Sequence, residues 1–161
     1  MSEHKITIVE VDPRRPEIVQ MIAELDRLMT SLYPVENTFL VSPADLAETG
    51  STFIAAYVDG VASGCAAIML RGQDYAEVKR VFVAPNARGL GLARRLLAKL
   101  EERALSAGVT MLRLETGDYQ PDALSLFQSL GFEICERFGD YPEDAPHSVF
   151  MEKPCVATPS D

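Results

Sequence analysis

The run Arg88-Gly89-Leu90-Gly91-Leu92-Ala93 joins a β-branched and aromatic stretch, "VFV", to a segment in which apolar residues return every three or four positions. Glycine costs a helix interior about 1 kcal/mol relative to alanine, so two glycines at a helix mouth answer a need for bare backbone. A strand that enters a helix through such a turn aims several unpaired N–H groups, and the positive end of a helix dipole, at one place. That place is a seat for an anion such as a phosphate or pyrophosphate, with the small Ala93 leaving room as the helix begins. A turn that binds nothing is the other reading of the same residues. Two familiar phosphate loops do not match: no Lys-Ser/Thr pair follows the last glycine, and the spacing G-x-G-x-x-G is absent.

The elements that position this turn follow from patterning. "KITIVEV" alternates apolar and polar residues and predicts a strand ended by Asp12-Pro13, and Ile18, Met21, Ile22, Leu25, Leu28, Met29 and Leu32 predict a helix closed by Tyr33-Pro34. Ser42 and Pro43 predict the start of a short second helix. "TFIAAYV" and "VASGCAAIML" flank Asp59-Gly60, a type I′ hairpin signal, and "YAEVKRVFV" supplies a third strand of a meander over residues 52–83. Ala93, Leu96, Leu97, Leu100 and Ala104 then form one helical stripe that Gly108 stops. "VTMLRLET" is a strand, "QPDALSLFQSL" a helix, and "FEICERF" with "SVFMEK" a closing strand pair. The result is a mixed α/β chain read as one domain over residues 1–153, with "PCVATPSD", 154–161, as a loosely held tail.

Composition narrows the function. With 161 residues, 47% of them hydrophobic, the chain buries a core without metal or disulfide staples. A formal charge of −9 argues against a nucleic-acid binder and favours a cationic small molecule or peptide. Cys65, Cys135 and Cys155 are odd in number and lack CxxC spacing, which fits a reducing compartment. No apolar run reaches the roughly 18 residues that span a bilayer, and the expectation is a cytoplasmic protein with no membrane partner. Only His4 and His147 are present and neither sits in a ligand cluster, so no metal centre is expected and His147 beside Ser148 reads as a loop histidine.

The segment "VFVAPNARGLGLARRLL" resembles the acetyl-coenzyme-A-binding segment of the GCN5-related N-acetyltransferases, whose signature Q/R-x-x-G-x-G/A is met by Arg88, Gly91 and Ala93. The order of elements over residues 5–153 is similar as well, and "LETGDYQPDALSLFQSLGF" with "FGDY" and "SVFMEK" resembles one bacterial subset of that family. The resemblance implies a central, mostly antiparallel sheet, splayed at the cofactor site and flanked by helices. It implies that Val81 and Val83 offer backbone groups to pantetheine, that the Val81 amide polarises the acetyl carbonyl, and that residues 88–93 seat the pyrophosphate. Gln120 stands where the family often has an asparagine that touches the cofactor.

Transfer of an acetyl group to an amine needs a neutral amine, a polarised carbonyl and a proton for the departing thiolate. Glu77 lies four residues before Val81, so period-two alternation predicts a shared face, and some family members carry a glutamate there as general base. A surface pair with Lys79 or Arg80 is the alternative. The family's usual acid, a tyrosine in the helix before "GF", is Phe127 here, which cannot donate a proton. Tyr33, Tyr119 and Tyr141 lie in loops fit to border the acceptor pocket, with Tyr141 the replacement acid. The expected function is transfer of acetyl from acetyl-CoA to a primary amine of a small molecule or amino acid within a ternary complex. A catalytically weakened acyl-CoA-binding or sensing module is the alternative that Phe127 keeps open, and a nucleotide-binding redox protein is disfavoured by the missing glycine spacing. A homodimer is expected only by analogy with the family.

Overall fold

The computed structural model describes residues 3–35, 41–48 and 50–157. The strands are β1 (Ile6–Glu10), β2 (Ser51–Val58), β3 (Val61–Arg71), β4 (Tyr75–Val83), β5 (Met111–Gly117), β6 (Glu133–Ile134) and β7 (Ser148–Pro154); the helices are α1 (Pro16–Leu32), α2 (Pro43–Leu46), α3 (Leu92–Ser106) and α4 (Pro121–Ser129). The seven strands form one sheet in the order β1-β2-β3-β4-β5-β7-β6. Every neighbouring pair is antiparallel except β4 and β5. The mixed α/β architecture with a mostly antiparallel sheet is therefore present.

Local chemistry explains the elements. Asp59 and Gly60 both take positive φ, 51° and 83°, as a type I′ turn demands, and they set the β2–β3 register. Ser42 caps α2 by accepting from the Asp45 N–H at 3.1 Å. α1 buries Ile18, Met21, Ile22 and Leu25 against one face of the sheet, where Phe53, Ala55, Cys65, Ala67 and Phe82 receive them. α3 buries Leu92, Leu96, Leu97, Leu100 and Ala104 on the other face, with Ile54, Ala66, Ile68, Val78, Leu112 and Leu114. Its stripe begins at Leu92 and not at Ala93, which is only half-buried.

Two expected boundaries move. The strand foreseen over 132–138 shrinks to Glu133–Ile134, because Phe138 leaves the sheet to pack edge-on against Tyr75 and Phe150, and Gly139 turns the chain with φ 63°. The start of the tail is held: Cys155 N–H donates to the Thr110 carbonyl at 2.8 Å and Val156 N–H to Glu101 at 2.7 Å. Residues 158–161 of the tail lie outside the described residues. Among the described residues no helix is long and apolar enough to cross a membrane.

Candidate active site

Two features of β4 build the site. The first is a fork. β4 and β5 pair only through Ala76–Leu112, Glu77–Arg113 and Val78–Leu114, after which the strands part and leave the backbone of Val81 and Val83 facing a gap. The second is a bulge. Between Lys79–Ala67 and Phe82–Cys65, three steps of β4 oppose two of β3, and Arg80 absorbs the extra residue with φ 59°. A bulge reverses the alternation of side chains. Before it Val78 faces the α3 side with Leu114; after it Val81 and Val83 do so, while Phe82 joins the α1 side. The expectation that Glu77 and Val81 share a face therefore fails, because simple alternation does not survive the extra residue.

The strained conformation at Arg80 is held by its own side chain. Its guanidinium, nearly buried, donates to the Val41 carbonyl from Nε at 3.0 Å and Nη2 at 2.8 Å, and pairs with Asp26 of α1. Bulge, α1 and the approach to α2 are thereby fastened together.

Beyond β4 the chain makes a short 3-10 turn, Pro85–Ala87, and reaches α3 through Arg88, Gly89, Leu90 and Gly91. Gly89 and Gly91 have φ 86° and 74°, and a Cβ built on either meets no protein atom within 4 Å. The two glycines are required by backbone conformation, and the space they face is open. Gly91 is the N-cap of α3 with no side-chain cap, so the first amides of that helix are left for another partner. Arg88 is exposed, Leu90 packs on the core, and the side chain of Leu92 is core while its amide belongs to the turn.

A cavity opens at the fork, lined by Leu25, Met29 and Tyr33 of the α1 side, Lys79 to Val81, Leu114 to Gly117, Gln120, Ala123, Phe127 and His147. Tyr33 is buried; its hydroxyl donates to Gln120 Oε1 at 3.2 Å and accepts from the Tyr119 N–H at 3.0 Å. Its ring stacks on Tyr119 with centroids 5.4 Å apart, and His147 sits 4.7 Å from Tyr119. A Cβ at Gly117 would overlap the Tyr33 hydroxyl, so this glycine is needed for close approach. Phe127 lies on the cavity wall, edge-on to Phe132.

Glu77 is not a surface residue: it is 3% exposed. Arg71 donates to its Oε1 from Nε at 3.1 Å and Nη2 at 2.9 Å, the Tyr141 hydroxyl donates to its Oε2, and Lys79 Nζ stands 3.6 Å from Oε2. Glu77 and Tyr141, the two expected catalytic residues, are thus hydrogen-bonded to each other, and neither lines the cavity among the described residues. Lys79, which does, donates to the Tyr141 hydroxyl at 2.9 Å. Burial drives the Tyr141 hydroxyl pKa far up, and the neighbouring Glu77 carboxylate adds to it, so Tyr141 stays protonated.

Of the three charged residues that line the cavity, Lys79, Arg80 and Glu115, sequence reasoning gave Lys79 and Glu115 no place in the site. Burial lowers the pKa of Lys79, against the opposing pull of Glu77 and Glu115. Burial raises that of Glu115, while the hydrogen bond from Ser148 Oγ to its Oε2, 2.6 Å, and the charge of Lys79 act the other way. The sequence does not single out Lys79 and Glu115, because β4 also carries Glu77 and Arg80 and β5 also carries Arg113. Cys65, also buried, is driven up to about 12 and is no nucleophile.

An open-edged fork in the sheet, followed by a glycine turn into α3, is the arrangement that the resemblance to the N-acetyltransferases implies. A model of the acetyltransferase (GNAT) family matches residues 18–132. An IAA acetyltransferase of Azospirillum brasilense is 43% identical over 150 residues, covering 92% of this chain and 97% of that protein. An acyl-CoA N-acyltransferase structure from Klebsiella pneumoniae superposes with TM-score 0.81 at 35% identity, covering 94% of this chain and 98% of that one. The PaiA N-acetyltransferase of Thermoplasma acidophilum, solved in complex with coenzyme A, shares the fold with TM-score 0.74 at 17% identity over 93% of this chain and 99% of that one. The chain belongs to the GNAT family of acetyltransferases and is an enzyme of the acyltransferase class.

Proposed function

We propose that this enzyme moves an acetyl group from acetyl-CoA to the primary amine of a small molecule or amino acid, both substrates being bound together. The observation that carries the reading is the joint placement of the β4–β5 fork and the glycine turn: unpaired strand backbone at Val81 and Val83 leads straight to the amides of residues 88–93. Acetyl-CoA supplies the activated acetyl group. The open space at Gly89 and Gly91 and the uncapped amides of α3 suit a pyrophosphate, and the Val81 and Val83 backbone suits the amide-bearing pantetheine. The Val81 N–H is the donor that polarises the acyl carbonyl. Gln120, fixed by Tyr33, borders the cofactor side, and Tyr33 with His147 borders the acceptor side.

Glu77 and Tyr141 take part from behind the cavity wall. With both carboxylate oxygens engaged, Glu77 holds Lys79 and Tyr141 in place, and Tyr141 ties the loop before β7 to β4. The deciding experiment is thiol release from acetyl-CoA across a panel of small amines and amino acids, with longer acyl-CoAs in parallel. Amine-dependent thiol release is the expected result. Coenzyme A binding without release under any acceptor would make this chain an acyl-CoA-binding module instead.

A further inference from the structure

We propose that Lys79 and Glu115 are the proton-transfer pair of this cavity, Lys79 donating to the departing thiolate and Glu115 accepting from the acceptor amine; this rests on the acetyltransferase reading above. The register places them together. Parallel pairing ends at Val78–Leu114, so Lys79 and Glu115 are the next step on either strand, at the point where the fork opens. They lie before the bulge and alternate with Val78 and Leu114, which face α3, so both point to the α1 side. Both line the cavity.

Of the other polar side chains on the wall, Tyr33, His147 and Arg80 are committed elsewhere, and the Thr116 hydroxyl does not exchange charge in the working range. The Tyr33 hydroxyl is held between Gln120 and the Tyr119 amide. His147 pairs with Asp118 at 3.2 Å. Arg80 is fastened to Val41 and Asp26, and a guanidinium does not release protons in the working range. Lys79 is fixed by Tyr141 at 2.9 Å and Glu77 at 3.6 Å, so its ammonium stays at the fork. Glu115 accepts from Ser148 on Oε2, and among the described residues no donor reaches Oε1. Among the described residues the charged groups around Lys79 are Glu77, Arg80 and Arg71 from β3 and β4 and Glu115 from β5, with the Tyr141 hydroxyl from the loop. Burial lowers the lysine and raises the glutamate, which draws an acid and a base toward the neutral range where both work.

The step balances. The amine nitrogen bonds to the acyl carbon and gives one proton to Glu115. The C–S bond breaks with its electron pair on sulfur, which takes a proton from Lys79. Proton return from Glu115 to Lys79 restores the enzyme as N-acetyl product and free thiol leave.

The test titrates coenzyme A on the enzyme by thiolate ultraviolet absorbance, with desulfo-coenzyme A as the blank, and needs no acceptor. In Lys79→Arg, where the cation cannot give up its proton, the bound thiol should ionise at least about one pH unit lower than in the wild type, where lysine surrenders its proton and ends neutral beside a thiol. Lys79→Met, with no cation, should not show that lowering. Thiol release with the amine panel should fall by about 10² or more in both, since arginine keeps the charge and not the exchangeable proton. Glu115→Gln should leave the thiol titration as in the wild type and lose the acidic limb of the rate profile. Equal thiol titration in wild type and Lys79→Arg, or wild-type release by Lys79→Arg, overturns the pair. A wild type that binds no coenzyme A overturns the acetyltransferase reading itself; one that binds and turns over while ignoring every Lys79 and Glu115 change overturns only this inference.

Discussion

β4 leads into the glycine turn at one end and carries a buried cluster of charge at the other, and the two regions work by opposite means. In the proposed site the turn at Gly89 and Gly91 offers backbone: the two glycines carry no side chain, the space they face is open, and no side chain caps the N–H groups of α3. Around Glu77, Lys79 and Glu115 the chain works with charged side chains that are buried or half-buried, each held by a neighbour: Glu77 by Arg71, Lys79 by Tyr141 and Glu115 by Ser148. An anion seat made of amides has a fixed field and no proton to lose. A cluster of titratable groups trades stability for groups that can exchange protons, which is what an acyl transfer needs near its reacting atoms.

The sharpest way to break this contrast is to remove the centre of the charged cluster. Glu77→Ala strips Arg71, Tyr141 and Lys79 of a shared partner and takes one facing carboxylate from a nearly buried ammonium. The expected loss is about 3 kcal/mol of folding stability, read from the urea midpoint. A loss below about 1 kcal/mol would mean that the pairing behaves as a surface contact. Next in size is the other region. Gly91→Val forces a β-branched residue into φ 74°, a strain of about 1–2 kcal/mol, in a place where no protein atom stands in the way. Coenzyme A affinity by calorimetry should weaken at least about tenfold. Gly91→Asn, which tolerates the left-handed region, should lose less. Unchanged affinity in Gly91→Val would leave the glycines as makers of a turn and nothing more.

The same contrast explains what the sequence disclosed. A backbone site is written in local residues: Gly89 and Gly91 are glycine because of their own φ, and their spacing from Arg88 and Ala93 is contiguous. The hairpin at Asp59-Gly60, the Ser42 cap and the stripes of α1 and α3 are legible for that reason. The side-chain site depends on which strands are neighbours and in what register. Lys79 meets Glu115 only because β4 and β5 lie parallel and part after Val78, and Tyr141 reaches Glu77 from a loop 64 residues further along. The bulge at Arg80 is the plainest case. It flips every later side chain of β4, yet the residue that bears the positive φ is an arginine, which advertises no turn.

Tyr141→Phe sharpens the comparison at a finer level, because it removes one hydroxyl and leaves the ring among Phe138 and Phe150. Lys79 loses a hydrogen-bond acceptor and Glu77 a donor. The expected cost is about 1–2 kcal/mol in stability. Steady-state kinetics should show kcat falling at least about tenfold with coenzyme A affinity nearly unchanged, the signature of a group that orders the reacting side and not the anion seat. Parallel losses in kcat and affinity would tie the two regions together more closely than the fork suggests.

The smallest change tunes a single proton. Ser148 Oγ donates to the Glu115 carboxylate, and a donor favours the charged form, so it opposes the upward push of burial. Ser148→Ala removes that opposition and raises the Glu115 pKa further. Because a raised folded-state pKa contributes stability below the unfolded value and loses it as pH rises through the folded value, the variant should be less stable than wild type at neutral pH, by about 1 kcal/mol. The gap should close as pH falls below the folded pKa of Glu115 and the carboxyl becomes protonated in both proteins. The acidic limb of kcat should move to higher pH in the same variant by about one unit, since the base must lose its proton to act. Thermal unfolding and rate profiles over one pH series read both effects. A stability gap that stays constant with pH, together with an unmoved acidic limb, would show that Ser148 acts only through packing and that the titrating base of the cavity is a group other than Glu115.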